Sequence, residues 1–302
     1  MGQPCWNMHD VIQGENVKFT KTHKAAFAIA TTAALLAACG GTTTDAASTT
    51  ASASADCSPA SLQTLTAGKL TVATGQPAYS PWVADDKPES GNGFESAVAY
   101  AVAGQLGYAA ADVTWVRTTF DGAITPGPKT FDFNLQQYTI TDDRKKAVDF
   151  SSPYYTTPQT VVTAKGSKIE GKTTIADLKD AKLGAGVGTT AVDIITNQIG
   201  ATPQVFNDNA AAVAALKNGQ IDGIVVDLPT AFYLTAVEIE NGVIVGQLPP
   251  SGSGDNFGLL LAKDSPLTAC VSQAGDALTT DGTLAKLADT WLAASAGAPV
   301  LQ

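Results

Sequence analysis

The chain has 302 residues, of which 44% are apolar and 15% charged, and its formal net charge is −10. The acidic balance argues against nucleic acid as a partner, because a surface that binds phosphates must be basic. The apolar fraction is sufficient for a buried core, and no run of about 18 apolar residues, the length that spans a bilayer, occurs.

A predicted export signal occupies residues 1–38. Lys18, Lys21 and Lys24 precede the small and apolar residues 25–38, a stretch that is too short to span a membrane. Roughly the first 16 residues do not fit a signal peptide. We interpret them as the result of a misplaced start codon.

The signal ends in Leu-Ala-Ala-Cys at residues 36–39. This tetrapeptide resembles the lipobox of bacterial lipoproteins, in which the cysteine becomes the lipidated first residue of the mature chain. An ordinary cleavage site beside an incidental cysteine is the alternative. We favour lipidation of Cys39, because the basic residues, the apolar stretch and the cysteine follow one another in the expected order.

Residues 39–56 are rich in Thr, Ser and Ala and contain no large apolar side chain. Such a segment cannot bury enough surface to fold, so we expect a disordered tether. Signal and tether together predict an exported protein that is lipid-anchored on the outer face of the cytoplasmic membrane. Both histidines, His9 and His23, would be removed with the signal. We therefore predict no histidine-based catalytic triad, no metal site and no cofactor.

Two further cysteines, Cys57 and Cys270, lie in the body of the chain. An even number of cysteines in an oxidising, extracytoplasmic compartment indicates a disulfide. The alternative is a pair of buried free thiols. We favour a bond between the two, which would tie the end of the tether to a helix late in the chain.

From residue 69 onward, short apolar or β-branched runs alternate with amphipathic stretches. The predicted strands are Leu70–Thr74, Val113–Val116, Phe131–Leu135, Thr160–Ala164, Leu183–Val187, Ile221–Val226 and Phe257–Leu261. The predicted helices are Phe94–Leu106, Thr190–Ile199, Ala210–Lys217 and Pro229–Val237, with two more around 267–278 and 284–291. This alternation predicts an α/β fold with largely parallel sheets. A body of roughly 245 residues favours two lobes rather than one core.

The most specific segment of the chain carries Ile-Thr-Asp-Asp-Arg at 140–144 and Val-Asp-Phe-Ser-Ser-Pro-Tyr at 148–154. It resembles the signature Ile-Thr-x-x-Arg…Val-Asp-Phe-Ser-x-Pro-Tyr of the polar-amino-acid-binding proteins, family 3, of bacterial ABC importers. Five further segments agree with this family in the same order: 71–82, 93–95, 120–122, 188–190 and 219–227. The resemblance covers residues 60–295.

This resemblance implies the type II periplasmic-binding-protein fold, in which each lobe is a mostly parallel sheet flanked by helices. The first lobe would comprise 57–160 and 256–302, and the second 161–255. Two crossing strands, near Thr160 and Phe257, would form the hinge between them.

A dry pocket for a free amino acid must neutralise both a carboxylate and an ammonium. A guanidinium suits the carboxylate, because its planar fork donates two parallel hydrogen bonds. The resemblance implies that Arg144 binds the carboxylate, Thr139 hydrogen-bonds the ligand, and Asp227 binds the ammonium. From the residues alone, Arg144 could instead be a solvated helix residue, and Asp227 a helix N-cap.

The resemblance also implies ligand contacts from the second-lobe residues Thr189 and Thr190. Tyr79 and Phe120 match positions that enclose the ligand side chain, while Trp82 is either a wall of the pocket or part of the core.

Three places depart from the family pattern: Gln137, the Thr-Pro-Gly-Pro at 125–128 in a segment that is normally helical, and Gly186, which replaces a ligand-reading side chain of some relatives. Gln137 stands where familiar relatives have Ser or Gly, so we expect its contact to differ. Gln76, Gln137 and the lack of an obvious second arginine favour a neutral polar ligand side chain over an acidic one.

These features predict an extracytoplasmic solute-binding protein that captures a polar amino acid as its lobes close and delivers it to an ABC permease. We expect a monomer without enzymatic activity. One alternative is a lyase on the same fold, similar to cyclohexadienyl dehydratase, which would need an acid or base in the cleft. Another is a ligand sensor domain.

Overall fold

The computed structural model describes residues 56–250, 254–292 and 297–302. The predicted signal, the predicted lipidation site Cys39 and all but the last residue of the predicted tether lie outside these ranges. Among the described residues, no helix is both long and apolar enough to cross a membrane.

Two five-stranded sheets form the framework of the described part of the chain. The first contains β1 (Leu70–Gly75), β2 (Val113–Thr118), β3 (Phe133–Asn134), β4 (Val148–Thr157) and β10 (Asp255–Ala262). The second contains β5 (Gln159–Ala164), β6 (Leu183–Gly186), β7 (Pro203–Phe206), β8 (Gly223–Asp227) and β9 (Gly242–Gln247). We call each sheet with its helices the first and the second lobe.

Helices flank both sheets. In the first lobe they are α1 (Phe94–Gln105), α2 (Phe120–Ile124), α3 (Asp142–Lys145), α7 (Thr268–Thr280) and α8 (Thr283–Leu292). In the second they are α4 (Thr190–Ile194), α5 (Asn209–Lys217) and α6 (Leu228–Tyr233). Helices α4 and α6 continue into π-helical turns, Ile195–Ile199 and Leu234–Glu238. Short 3₁₀ helices lie at Ala84–Asp86, Pro88–Ser90, Ala110–Asp112 and Ile175–Leu178.

The two sheets share one topology, with strand orders β2-β1-β3-β10-β4 and β7-β6-β8-β5-β9. In each, the first three strands pair in parallel, and the fourth is antiparallel to both of its neighbours. The sheets are therefore mixed, where the sequence predicted largely parallel ones. The reversed strands, β5 and β10, are the two that begin directly after the chain has crossed from the other lobe, and this explains their direction.

The chain crosses to the second lobe at Pro158, between β4 and β5, and returns between β9 and β10. Thr160 and Phe257, the positions predicted for the crossing, lie just inside β5 and β10. The last described residues also lie on the second lobe: the Gln247 amide donates to the Pro299 carbonyl, the Leu301 amide donates to the Gln247 carbonyl, and Leu301 packs in the second-lobe core. The chain therefore passes between the lobes three times, and the predicted assignment of 256–302 to the first lobe is wrong for residues 299–302.

Three strands, β4, β7 and β9, are not predicted by the sequence analysis. All three are at the edge of a sheet. Strand β4 contains Asp149 and Pro153, β7 begins with Pro203, and β9 contains two glycines. Such residues have low strand propensity but are tolerated at an edge, where one side of the backbone needs no partner strand.

The first sheet buries both of its faces. Leu70 and Val72 pack into the core beneath α1, α7 and α8, while Ala73, which points the other way, belongs to a separate cluster. This alternation is the two-residue period of a strand. A disulfide joins Cys57 to the buried Cys270 of α7, with their Cα atoms 5.4 Å apart.

Candidate functional site

A cavity of about 380 Å³ lies between the two lobes, within the size range of small-molecule sites. Its walls come mainly from loops at the carboxyl ends of β1, β2, β3, β6, β7 and β8, where open α/β sheets bind ligands. All nine residues predicted to contact a ligand line it: Tyr79, Trp82, Phe120, Gln137, Thr139, Arg144, Thr189, Thr190 and Asp227.

Arg144 is held on the short helix α3, which Thr141 caps by accepting a hydrogen bond from the Arg144 amide at 3.1 Å. The guanidinium donates from Nη1 to the Thr139 carbonyl at 2.6 Å and from Nη2 to the Gly188 carbonyl at 2.8 Å. Its Cζ lies 5.3 Å from the centre of the Phe120 ring. Gly188 belongs to the second lobe, so Arg144 links the lobes. Because Arg144 is buried, the alternative of a solvated helix residue is wrong.

Asp227 ends β8 and occupies the N-cap position of α6, but its side chain makes no capping hydrogen bond. Oδ1 instead accepts a hydrogen bond from Gln159 Nε2 at 2.5 Å. Burial raises the pKa of Asp227 well above its usual value, repulsion from Asp255 adds to the rise, and Arg144 opposes it. No lysine or arginine among the described residues forms an ion pair with Asp227. A carboxylate in this setting suits a cationic group brought by a ligand.

Tyr79 and Phe120 both face the cavity from the first lobe. Burial raises the pKa of Tyr79 to about 12, and the nearby charge of Asp208 adds to this, so its hydroxyl stays protonated. Phe120 begins α2 and stacks on Tyr138, with the ring centres 4.5 Å apart. Both aromatic rings are available to pack against the apolar part of a ligand.

Trp82 has both of the roles that the sequence left open. The residue is 1% exposed and packs edge-on against Phe94 and Phe257, with ring centres 6.0 and 5.8 Å away. It also lines the cavity. Its indole Nε1 donates a 2.8 Å hydrogen bond to the Thr230 hydroxyl in the second lobe, which gives a second direct bond between the lobes.

Gln137 stands where members of the family have Ser or Gly, and its contacts show what the longer side chain does in this protein. Its backbone has φ 53°, a conformation that glycine adopts without strain. Its amide N–H donates to Glu95 Oε1 at 2.8 Å, and its side-chain Nε2 donates to Glu95 Oε2. The Tyr154 hydroxyl also donates to Glu95. Gln137 therefore covers a buried carboxyl group as well as lining the cavity.

The three predicted threonines have different partners. The Thr189 hydroxyl donates to the Gly186 carbonyl at 2.7 Å, inside its own loop. Thr139, from the first lobe, and Thr190, from the second, both lie near the carboxylate of Asp255 and lower its pKa.

Three residues close to the cavity are missing from the sequence analysis: Glu95, Gln159 and Asp255. Glu95 is the second residue of α1 and is 1% exposed. Gln159 and Asp255 are the first residues of the two strands that follow the lobe crossings. A polar residue at the start of an otherwise apolar strand was the available signal for the last two.

The loop after β1 is fixed by Arg117. Its guanidinium donates to the Gly75 carbonyl at 2.8 Å and to the Asp86 carbonyl at 2.6 Å, and it forms an ion pair with the Asp86 carboxylate. This arginine is a support of the cavity wall, and Arg144 is the arginine that faces the cavity. The described residues contain no group of three His, Cys, Asp or Glu side chains that could hold a metal ion.

The fold and the cavity define a class of two-lobed proteins that enclose a small solute between their lobes. Residues 70–294 match the family described as bacterial extracellular solute-binding proteins, family 3. The chain belongs to this family.

Individual relatives agree with this assignment. The L-cystine-binding protein TcyJ of Escherichia coli K12 is 30% identical over 205 residues, which cover 67% of this chain and 74% of that protein. An ancestral arginine-binding protein bound to arginine has a TM-score of 0.62 at 30% identity, over 74% of this chain and 98% of its own. The ancestral amino acid-binding protein AncCDT-1, a precursor of cyclohexadienyl dehydratase, has a TM-score of 0.60 at 32% identity, over 74% and 95%.

Proposed function

We propose that this protein is an extracytoplasmic receptor that captures a free polar amino acid between its lobes and delivers it to an ABC permease. The observation that carries this proposal is the placement of two opposite charges on one cavity: Arg144 comes from the first lobe and Asp227 from the second. An α-amino acid has a carboxylate and an ammonium attached to one carbon, and this pair of residues complements both.

Capture by closure follows from the same geometry. A ligand can favour the closed state only if it binds that state more tightly than the open one. A zwitterion that contacts Arg144 and Asp227 together does so, because the two groups are brought to one ligand only when the lobes meet. We further propose that the first lobe comprises 57–160 with 256–292, and the second 161–255 with 299–302, which pack on β9.

The roles of the remaining residues follow the cavity walls. We propose that Thr139 and Thr190 orient the main-chain end of the ligand, and that Thr189, which is already bonded to its own loop, shapes the second-lobe wall. Tyr79, Phe120 and Trp82 would enclose the ligand side chain, and Gln137 would form part of the first-lobe wall of the cavity.

Relatives named for cystine and for arginine support a polar amino acid as the ligand. Their different ligands do not single out one side chain for this protein. We propose that the receptor is a monomer, needs no cofactor, and is held at the outer face of the cytoplasmic membrane by a lipid on Cys39. It then presents its cargo to a membrane-embedded permease.

The first test is a thermal-shift screen of the soluble body against the twenty L-amino acids and L-cystine. A ligand at 100 times its Kd stabilises the folded protein by about 2.7 kcal/mol, which is a measurable rise in Tm. A protein that responds to none of these compounds would contradict the proposal.

The second test assigns the site by calorimetry on Arg144→Ala. Removing the guanidinium leaves the ligand carboxylate buried without its partner, so we expect a loss of about 3–5 kcal/mol, or at least a hundredfold in Kd. The matched control is Lys145→Ala, because Lys145 is the next residue of α3 and its side chain is 54% exposed. If both variants bind within a few-fold of the wild type, the assignment of Arg144 is wrong.

The same preparation tests the absence of enzymatic activity. AncCDT-1 is named both as an amino acid-binding protein and as a precursor of a dehydratase, so prephenate and arogenate are the informative substrates. We expect no turnover of either compound, and turnover would instead support the lyase.

A further inference from the structure

Two acidic side chains meet where the chain crosses between the lobes. Gln159 Nε2 donates one hydrogen bond to Asp227 Oδ1 at 2.5 Å and another to Asp255 Oδ2 at 2.8 Å. Because one nitrogen serves both carboxyl groups, the two groups are close neighbours, and each feels the charge of the other.

Asp255 is the first residue of β10 and contacts both lobes. Besides Gln159, Thr139 in the first lobe and Thr190 in the second lie beside its carboxylate, and both lower its pKa. Gln159, which donates to Asp255, lines the cavity, and the two threonines are residues that we place in the amino acid site. Asp255 is positioned to act on the ligand through these neighbours.

An unsatisfied acceptor lies beside this pair. Gln159 is 6% exposed and lines the cavity, and its Oε1 has no hydrogen-bond partner among the described residues. Both N–H groups of the amide are used by the two aspartates, so Oε1 can be satisfied only by a donor from elsewhere. An α-ammonium has three N–H donors, enough for Asp227 and for Gln159 Oε1.

Several titratable groups surround this pair. Asp227 faces Asp255, the buried Glu95 and the cationic Arg144, and the hydroxyl groups of Tyr154 and Tyr155 lie near it. Asp255 likewise faces Arg144. Burial raises the pKa of both aspartates. Two neighbouring carboxyl groups in such a setting titrate as a pair, and one of them keeps its proton more strongly.

We propose that Asp255 is a positioning residue of the ammonium site, and that Asp227 and Asp255 together hold one proton which is released when an amino acid binds. This inference rests on the proposed function. The ligand ammonium supplies the positive charge that allows both carboxyl groups to ionise. The O–H bond of the shared proton breaks, its electron pair stays on the carboxylate, and the proton passes to the buffer. The ammonium keeps its own three protons.

The experiment is calorimetric titration of the wild type in phosphate and in Tris at the same pH. L-arginine is the first probe, followed by any amino acid that the screen identifies. The difference in heat between the buffers gives the number of protons released. We expect a release that approaches one proton, and a Kd that falls as the pH rises, by up to about tenfold per pH unit where the free protein still holds the shared proton.

Asp255→Asn removes one carboxyl group and leaves the side chain similar in shape. We expect this variant to bind the amino acid, to release far less than one proton, and to have a Kd that is nearly independent of pH. The control is Asp142→Asn, an aspartate whose side chain is 98% exposed, which should behave as the wild type. Asp227→Asn removes the direct partner of the ammonium, and it should lose binding at every pH.

Two results would overturn the inference. The first is a wild-type protein that binds its amino acid without releasing a proton anywhere between about pH 5 and 8. The second is an Asp255→Asn variant that releases as many protons as the wild type. The first measurement needs no variant, so it decides the matter even if Asp255→Asn does not fold. A wild-type protein that binds no amino acid contradicts the proposed function itself, which is a separate outcome.

Discussion

Glu95 is a carboxyl group enclosed by protein, next to the cavity but without access to it. It is 1% exposed and accepts hydrogen bonds from Gln137 and Tyr154. Burial raises its pKa from the usual 4.5 to about 7, and these hydrogen bonds oppose the rise. The cost of burying the charge therefore exceeds the gain from the hydrogen bonds, and the group keeps its proton in the folded state at mildly acidic pH.

This residue predicts a pH dependence of stability with an unusual sign for a carboxyl group. Between about pH 4.5 and 7 the folded state holds a proton that the unfolded state has lost, so the free energy of unfolding falls as the pH rises. The full change is about 3 kcal/mol for a shift of this size. Glu95→Gln carries no charge, and we expect its stability relative to the wild type to improve by this amount over the same interval.

Urea unfolding of both proteins at about pH 4.5, 6 and 8 measures the effect. Glu89→Gln is the control, because Glu89 is an exposed glutamate, and it should change stability by no more than a few tenths of a kcal/mol at any pH. A constant difference between Glu95→Gln and the wild type across the three pH values would contradict the prediction.

At the scale of elements, the short helix α3 determines where the guanidinium of Arg144 lies. It has four residues, and Thr141 caps it through the Arg144 amide itself. A helix this short gains little from its own backbone hydrogen bonds. Its position therefore depends on the cap and on the contacts of Arg144.

We expect Thr141→Ala to cost about 1 kcal/mol of stability, as loss of an N-cap usually does, and also to weaken amino acid binding several-fold. Thr174→Ala provides a matched control. Thr174 caps the 3₁₀ helix Ile175–Leu178 by accepting from the Asp177 amide, and it does not line the cavity. Unfolding and calorimetry on both variants separate the two effects. Equal losses of affinity would show that α3 has no special role.

The elements also show where a sequence is informative. The strands at the centre of each sheet, such as β1 and β8, are buried along nearly their whole length, so that their apolar runs predict them directly. The edge strands β4, β7 and β9 escape prediction because their residues suit a partly exposed position and they are stabilised by one neighbouring strand. Pairing of that kind depends on residues far away in the chain, and no local pattern records it.

At the scale of the whole molecule, the cavity also combines residues that a local motif predicts with residues that only the fold brings together. Arg144 and Asp227 belong to motifs that follow strands, and the carboxyl ends of those strands face one cleft. Gln159 and Asp255 are 96 residues apart and meet only because two crossings lie side by side. Their partnership becomes visible in three dimensions, since neither residue stands in a motif of its own.

The contact between the lobes leads to the last prediction. Trp82 in the first lobe donates its indole N–H to Thr230 in the second, and both residues are at most 4% exposed. This bond requires closed lobes, whereas in an open molecule water can take its place. Thr230→Val removes the acceptor and leaves a buried N–H unpaired, which costs about 1–3 kcal/mol. We expect the cost to fall on the closed state, so that the Kd rises by about five- to a hundredfold.

The control for this variant is a similar bond inside one lobe. Trp115 donates its indole N–H to the Tyr100 hydroxyl at 3.2 Å, between β2 and α1 of the first lobe. Tyr100→Phe removes that acceptor without affecting closure, and its Kd should match the wild type. Calorimetry on the two variants, with Tm measured in the absence of ligand, distinguishes them. If Thr230→Val lowers Tm but leaves the Kd unchanged, the bond stabilises the ligand-free and the ligand-bound protein equally, and closure does not depend on it.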